Sequence, residues 1–341
     1  MKHRPAVEVW DRGHLYEAYV GRWSRVVAAR FLPWLRIPAG RRWVDVGCGT
    51  GALCDAILHR CSPASVIGIE PSEGFLRVAQ ERLGERALLC PGTAARIPLE
   101  GSTADAAVAG LVLNFVPDQR AALVEMARVV GDGGTVAAYV WDYAGKKEFM
   151  RIFWDAAREL APEAEDEGVR FPGCQPSALA ELFLGAGLRG IAVTEIDIPT
   201  RFANFDDFWQ PFLGGQGPAP AYVVSLGEIA RARLRNRLHE RLPVAADGSI
   251  SLTARAWAIR GAVARQREGE GAPRTERTFR LRDRAPGGRS GGCASARPQA
   301  LKALSTPVSP SRRPCAARRY RPAGRGRLPG RGSQRCPAGW T

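Results

Sequence analysis

Residues Trp43 to Leu53 read WVDVGCGTGAL, with Gly47, Gly49 and Gly51 at every second position directly after a short apolar run. Glycine is required where the backbone takes a left-handed φ, or where another group must come closer than a Cβ permits. The residues that follow, GALCDAILHR (51–60), carry Leu53, Ile57 and Leu58 at helical spacing. A strand, a Gly-rich turn and a helix in that order build a small-molecule site at the carboxyl end of a parallel sheet.

Outward from this turn, short apolar runs alternate with helical patterns, as in a parallel sheet with crossover helices. Strands are predicted at 42–47, 65–70, 87–92, 104–115 and 134–141, and helices at 51–60, 71–83 and 117–130. Further on come helices around 146–160 and 177–185 and a strand over 190–202. SLTARAWAIRGAV (251–263) supplies a last strand, whose alternation fits a half-exposed antiparallel edge. Segment 1–40 reads as helical. An aromatic-rich insertion carries Phe202, Phe205, Phe208, Trp209 and Phe212.

The formal charge of +15 suggests a nucleic-acid binder, but its distribution does not. Residues 265–341 hold 18 Arg and Lys302 against Glu268, Glu270, Glu276 and Asp283, which leaves 30 basic and 30 acidic residues in positions 1–264. The main domain is neutral, so no specific nucleic-acid partner is expected for it. In the tail, one Val, four Leu and one Phe stand against 20 Gly and Pro in 77 residues. Such a segment is expected to be disordered. An Arg-rich arm for nucleic acid is the alternative reading, and the near-exclusive use of Arg also suits out-of-frame translation of GC-rich DNA.

Eight cysteines form no close C-x-x-C pair, and His3, His14, His59 and His239 lie far apart. No metal site is therefore expected, and the cysteines read as small buried apolar residues in a reducing, cytoplasmic compartment. No secretory leader or membrane-spanning run stands out.

Two nucleotide-like ligands use a strand–glycine turn–helix site. The dinucleotide fingerprint G-x-G-x-x-G is not met, because the third glycine, Gly51, comes one residue early. An acid is present: Glu70 ends the second strand, 19 residues after Gly51, and a carboxylate there suits a ribose diol. VDVGCGTG followed by IGIEPS resembles motif I and the acidic ribose clamp of class I S-adenosylmethionine (SAM)-dependent methyltransferases. YEAYVGRWSRVVAARFLPWL (16–35) is similar to the N-terminal cap of a bacterial subgroup related to ubiquinone and menaquinone methyltransferases. YVWDY, FWDAA, DEGVRFPG, FDDFWQPFLGGQGPAP and LTARAWAIRG extend the likeness over residues 8–263.

The resemblance implies a Rossmann-like α/β sheet of seven strands with the last antiparallel. An N-terminal helical cap (1–40) precedes a methyltransferase domain (41–264), with a cofactor core at 41–142 and an insertion at 202–249 between strands six and seven. The tail (265–341) follows. It also implies SAM as cofactor, with Gly47, Gly49 and Gly51 admitting its methionyl and ribose parts, Asp45 orienting the loop and Glu70 clamping the ribose. Pro71 and Ser72 would border the adenine. Relatives often place an Asp after strand three, where this chain has Thr93; Thr93 offers one uncharged acceptor, and the Ala94 backbone N–H is the other adenine partner. Asn114 would line the methionyl side, and Arg22 would hold the cofactor carboxylate.

No paired-carboxylate or His constellation marks a general base; His14, Tyr16, Asp142 and Tyr143 are the catalytic candidates. Transfer to oxygen, nitrogen or carbon stays open. The aromatic insertion favours a small, partly apolar acceptor. The expected acceptor pocket lies above strands four and five, closed by 14–35 (Tyr16, Tyr19, Trp23) and 202–217 (Phe208, Trp209, Phe212), with Trp141 facing it. A SAM-binding protein without turnover and a nicotinamide-dependent oxidoreductase are the alternatives.

Overall fold

The computed structural model describes residues 21–215 and 217–264. Its first strand, β1 (Arg42–Val46), is buried at every position after Arg42, as a central parallel strand covered on both faces must be. It pairs with β2 (Ser65–Glu70) on one side and β4 (Ala106–Gly110) on the other, both parallel. β3 (Leu88–Pro91) adds to β2, and β5 (Thr135–Trp141) to β4. Two long strands complete the sheet, β6 (Arg189–Phe202) and β7 (Ile250–Ala262). The order is β3-β2-β1-β4-β5-β7-β6, with β7 antiparallel to both neighbours. This is the Rossmann-like sheet that the resemblance implies, seven strands with the last antiparallel.

The helices start where local chemistry permits. α1 (Arg22–Leu35) precedes the sheet and buries Trp23, Val27, Phe31 and Leu35. α2 (Ala52–Arg60) begins directly after Gly51 in a left-handed conformation. α3 (Glu73–Leu83) is capped by Ser72, whose hydroxyl accepts from the Phe75 N–H at 3.3 Å. α4 (Gln119–Val130) is capped by Asp118, which accepts from the Ala121 N–H at 2.8 Å. Each cap satisfies one of the orphan donors of a helix start. After β5 come α5 (Glu148–Leu160), α6 (Glu167–Arg170) and α7 (Pro176–Gly185). Between β6 and β7 lie α8 (Phe205–Trp209), α9 (Pro218–Ser225) and α10 (Glu228–Arg241).

Two expectations need correction. The fourth strand does not run to Phe115. It stops at Gly110 because Leu111 takes a positive φ of 61° and a 3-10 turn follows over Leu113–Phe115. The 251–263 strand is not an edge, since it lies between β5 and β6, and β6 is the edge. Its alternation reports unequal cover of the two sheet faces, not a free side. The predicted helical stretch before residue 21 and the tail after 264 lie outside the described residues.

Candidate active site

The chain segments leaving β1 to β5 at their carboxyl ends line a cavity of about 550 Å³. Gly47, Gly49 and Gly51 all have positive φ, at 72°, 54° and 81°. Their surroundings differ. A Cβ on Gly47 would lie 2.6 Å from the Val112 side chain, and one on Gly51 would lie 2.9 Å from Leu83. On Gly49 it would meet only Phe75, at 4.0 Å. Gly47 and Gly51 therefore answer to packing as well as turning, while Gly49 faces open space. Gly47 and Gly49 line the cavity; Gly51 does not.

Glu70 closes this loop. One carboxylate oxygen accepts from the Gly49 N–H at 3.0 Å, the other from the Ser72 N–H at 2.9 Å. Burial pushes its pKa up, and these two donors oppose the shift. Asp45 is 1% exposed and accepts from the Cys54 thiol at 3.2 Å through Oδ2, while its Oδ1 has no partner. Burial is the main cause that raises its pKa to about 7. Both acids line the cavity, and an unpartnered carboxylate oxygen buried beside a glycine loop suits a ligand's ammonium or hydroxyl.

Pro71, Phe75, Thr93 and Ala94 form the wall beyond Glu70. Ser72 contributes its backbone to Glu70 and its hydroxyl to the α3 cap, and is not part of the wall. Asn114 is not part of it either. Its amide donates to the Tyr143 hydroxyl at 3.2 Å, and its Oδ1 is unpartnered. The β4 exit offers Leu111, Val112 and Phe115 instead.

Arg22 departs from the expected role. Its guanidinium pairs with Asp207 at 2.8 Å and lies over Trp23 and Phe202, away from the cavity wall. It ties α1 to α8. Asp142, one catalytic candidate, accepts from the Gly145 and Lys146 N–H groups at 3.1 and 2.9 Å and so shapes the turn after β5. Tyr143 and Trp141 do line the cavity. His14, Tyr16 and Tyr19 lie outside the described residues.

The aromatic residues of the insertion do not close the site. Phe212 stacks on Phe153 at 4.6 Å, Phe208 packs against Phe202 and Phe212, and Trp209 against Phe212. None of the three touches the cavity, to which the insertion supplies Pro218. From the N-terminal side Ser24 reaches it, while Trp23 is core, edge-on to Phe202. Beyond β5 the wall is formed instead by Trp141, Tyr143 and Lys147, with Glu167 from α6. Sequence reasoning passed over Lys147 and Glu167. The available signal was that Lys147 sits among Trp141, Tyr143 and Phe149 in a chain with only four lysines.

The cavity thus has two carboxylates at the glycine loop, and aromatic side chains with Lys147 and Glu167 beyond β5. Among the described residues no group of His, Cys, Asp or Glu could hold a metal ion, and no helix is long and apolar enough to cross a membrane.

Residues 44–138 match the family described as "Methyltransferase domain". The chain is similar to the demethylmenaquinone methyltransferase of Geobacillus sp. (strain WCH70), 27% identical over 205 residues, covering 52% of this chain and 87% of that one. The enzyme of the same name from Staphylococcus aureus (strain JH9) is 35% identical over 115 residues, covering 33% and 48%. The solved structure of the YcgJ protein from Bacillus subtilis superposes with a TM-score of 0.47 at 18% identity, covering 72% of this chain and 100% of that one. The glycine loop, its two acids and the matched domain lie in the same stretch of sequence, and the chain is a class I SAM-dependent methyltransferase that is similar to demethylmenaquinone methyltransferases.

Proposed function

We propose that this chain transfers the methyl group of SAM to a small, partly apolar, ring-bearing acceptor. Gly47 and Gly49 would admit the methionyl and ribose parts, with Asp45 toward the cofactor ammonium and Glu70 toward the ribose. Pro71, Phe75, Thr93 and Ala94 would flank the adenine. The observation that carries this reading is the two-ended cavity, with buried carboxylates Asp45 and Glu70 beside the glycine loop and apolar and aromatic side chains beyond. Methyl transfer from a sulfonium is an in-line displacement, so alignment in a water-poor cavity supplies much of the catalysis.

The relatives are named for demethylmenaquinone, and a naphthalene-sized ring is the acceptor size we infer. Cytoplasmic action is in keeping with the free thiols of Cys48, Cys54, Cys61, Cys90 and Cys174. Calorimetric titration with SAM, S-adenosylhomocysteine and NAD tests the cofactor. Binding of the first two and not NAD is expected, and binding of NAD alone would overturn the reading. Mass spectrometry of naphthol and naphthoquinol acceptors after incubation with SAM then identifies the methylated product.

A further inference from the structure

Lys147 precedes α5 and caps its amino end, yet its side chain turns inward. It is 2% exposed and lines the cavity. Its Nζ lies 4.4 Å from the ring centre of Tyr143, 5.4 Å from Phe149 and 5.6 Å from Trp141. Among the described residues no hydrogen bond or ion pair engages this amine. Of the acids nearby, Glu167 accepts from the Trp154 indole N–H at 2.9 Å through one oxygen, and Asp142 accepts from the backbone of its own turn. Cys174 also faces Lys147, its thiol pushed up to about 12 mainly by burial and so neutral.

A buried lysine without a paired carboxylate is costly to hold, and this chain otherwise relies on arginine. Of 49 basic residues only Lys2, Lys146, Lys147 and Lys302 are lysines. Lysine can give up its proton in a dry site, as arginine cannot. Burial does hold the Lys147 amine below the ordinary lysine range, with the charge of Glu167 pulling the other way. Asp45, Glu70, Asp118 and Glu167 are the other charged residues of the wall, so Lys147 is its one cation among the described residues.

We propose that Lys147 is a catalytic residue on the acceptor side, and that the acceptor carries an acidic hydroxyl, phenolic or enolic, whose oxygen meets Nζ while its ring packs on Trp141 and Tyr143. The proposal rests on the methyltransferase reading above. The lysine amine accepts the hydroxyl proton with its lone pair, and the O–H bonding pair stays on the acceptor oxygen. An ammonium and an oxyanion then replace two neutral groups. The faces of Tyr143, Trp141 and Phe149 favour that ammonium. The oxyanion enriches the acceptor in electrons, which is what a nucleophile attacking a methyl carbon needs.

The test uses the full chain saturated with S-adenosylhomocysteine, and two probes: 2-hydroxy-1,4-naphthoquinone, an acidic enol, and its 2-methoxy ether. Wild type should bind the hydroxy probe about 10- to 100-fold more tightly than the ether, the range for a hydrogen bond to a charged group. Lys147→Met should lose that preference while binding the ether and S-adenosylhomocysteine as wild type does. Equal binding of the two probes by wild type overturns the assignment, as does a Lys147→Met chain that keeps the preference. If Lys147→Met no longer binds S-adenosylhomocysteine, the wild-type preference alone decides. A wild type that binds no S-adenosylhomocysteine strikes the methyltransferase reading instead.

Discussion

Replacing Asp45 by asparagine removes a carboxyl that burial holds at a pKa of about 7 while leaving its shape. Its ordinary value is about 4. Because the folded value is the higher one, the stability tied to this group is present below pH 4 and lost as pH rises through 7. Three units correspond to about 4 kcal/mol at most. Ligand binding runs the opposite way. A cofactor ammonium near the unpartnered Oδ1 favours the ionised form, so SAM binding should become tighter with pH and release a proton. The ionised fraction is about one in eleven at pH 6 and one half at pH 7, a gain of about fivefold in affinity. At pH 6 about 0.9 proton should leave on binding. Calorimetry at both pH values, in two buffers of different ionisation enthalpy, reads affinity and proton count together. Asp45→Asn should bind with little pH dependence between them and should not gain stability on acidification as wild type does. Equal wild-type affinity at pH 6 and 7, or the same fivefold gain in Asp45→Asn, would refute the ammonium assignment.

Glu70→Ala should weaken SAM binding about 10- to 100-fold, because it removes a charged acceptor and frees two loop N–H groups; unchanged calorimetric affinity in a folded variant would contradict this. Gly47→Ala should lower the melting temperature more than Gly49→Ala, since both oppose a positive φ but only the first drives a Cβ into Val112. Thermal denaturation ranks the pair, and the reverse order would count against the loop geometry. Trp209→Ala should cost about 3–5 kcal/mol of stability with SAM affinity retained, because Trp209 belongs to the aromatic core. A loss of turnover without a loss of stability would restore it to the acceptor pocket.

The glycine loop and the acids beside it were legible because their determinants are local. The β1 apolar run, three glycines and an acid at the next strand end lie within 28 residues, Trp43 to Glu70, and caps such as Ser72 and Asp118 mark helix starts by composition alone. The aromatic end of the cavity, Trp141 to Glu167, spans no more chain but carries no motif of its own. A stripe such as Phe208, Trp209 and Phe212 fits a pocket and a core equally well in sequence, and only the stacking on Phe153 separates them. Arg22 was misread for a similar reason, its partner Asp207 lying 185 positions away. Lys147 was hidden by Lys146, whose ion pair with Asp197 is what a surface lysine usually makes.

The pairing of Phe202 with Ile250 has an evolutionary consequence. Residues 203–249 leave the sheet and return to it at directly opposed positions, so the register of β6 and β7 is independent of what lies between them. A short hairpin turn could stand in their place, and because loop-closure entropy grows only slowly with length, a long insertion costs the sheet little more than a short one. Such a segment can be exchanged or remodelled without disturbing the glycine loop. Its one contribution to the cavity wall among the described residues is Pro218, so drift at that position acts on the cavity directly, while Phe212 on Phe153 and the Arg22–Asp207 pair constrain the rest of the segment.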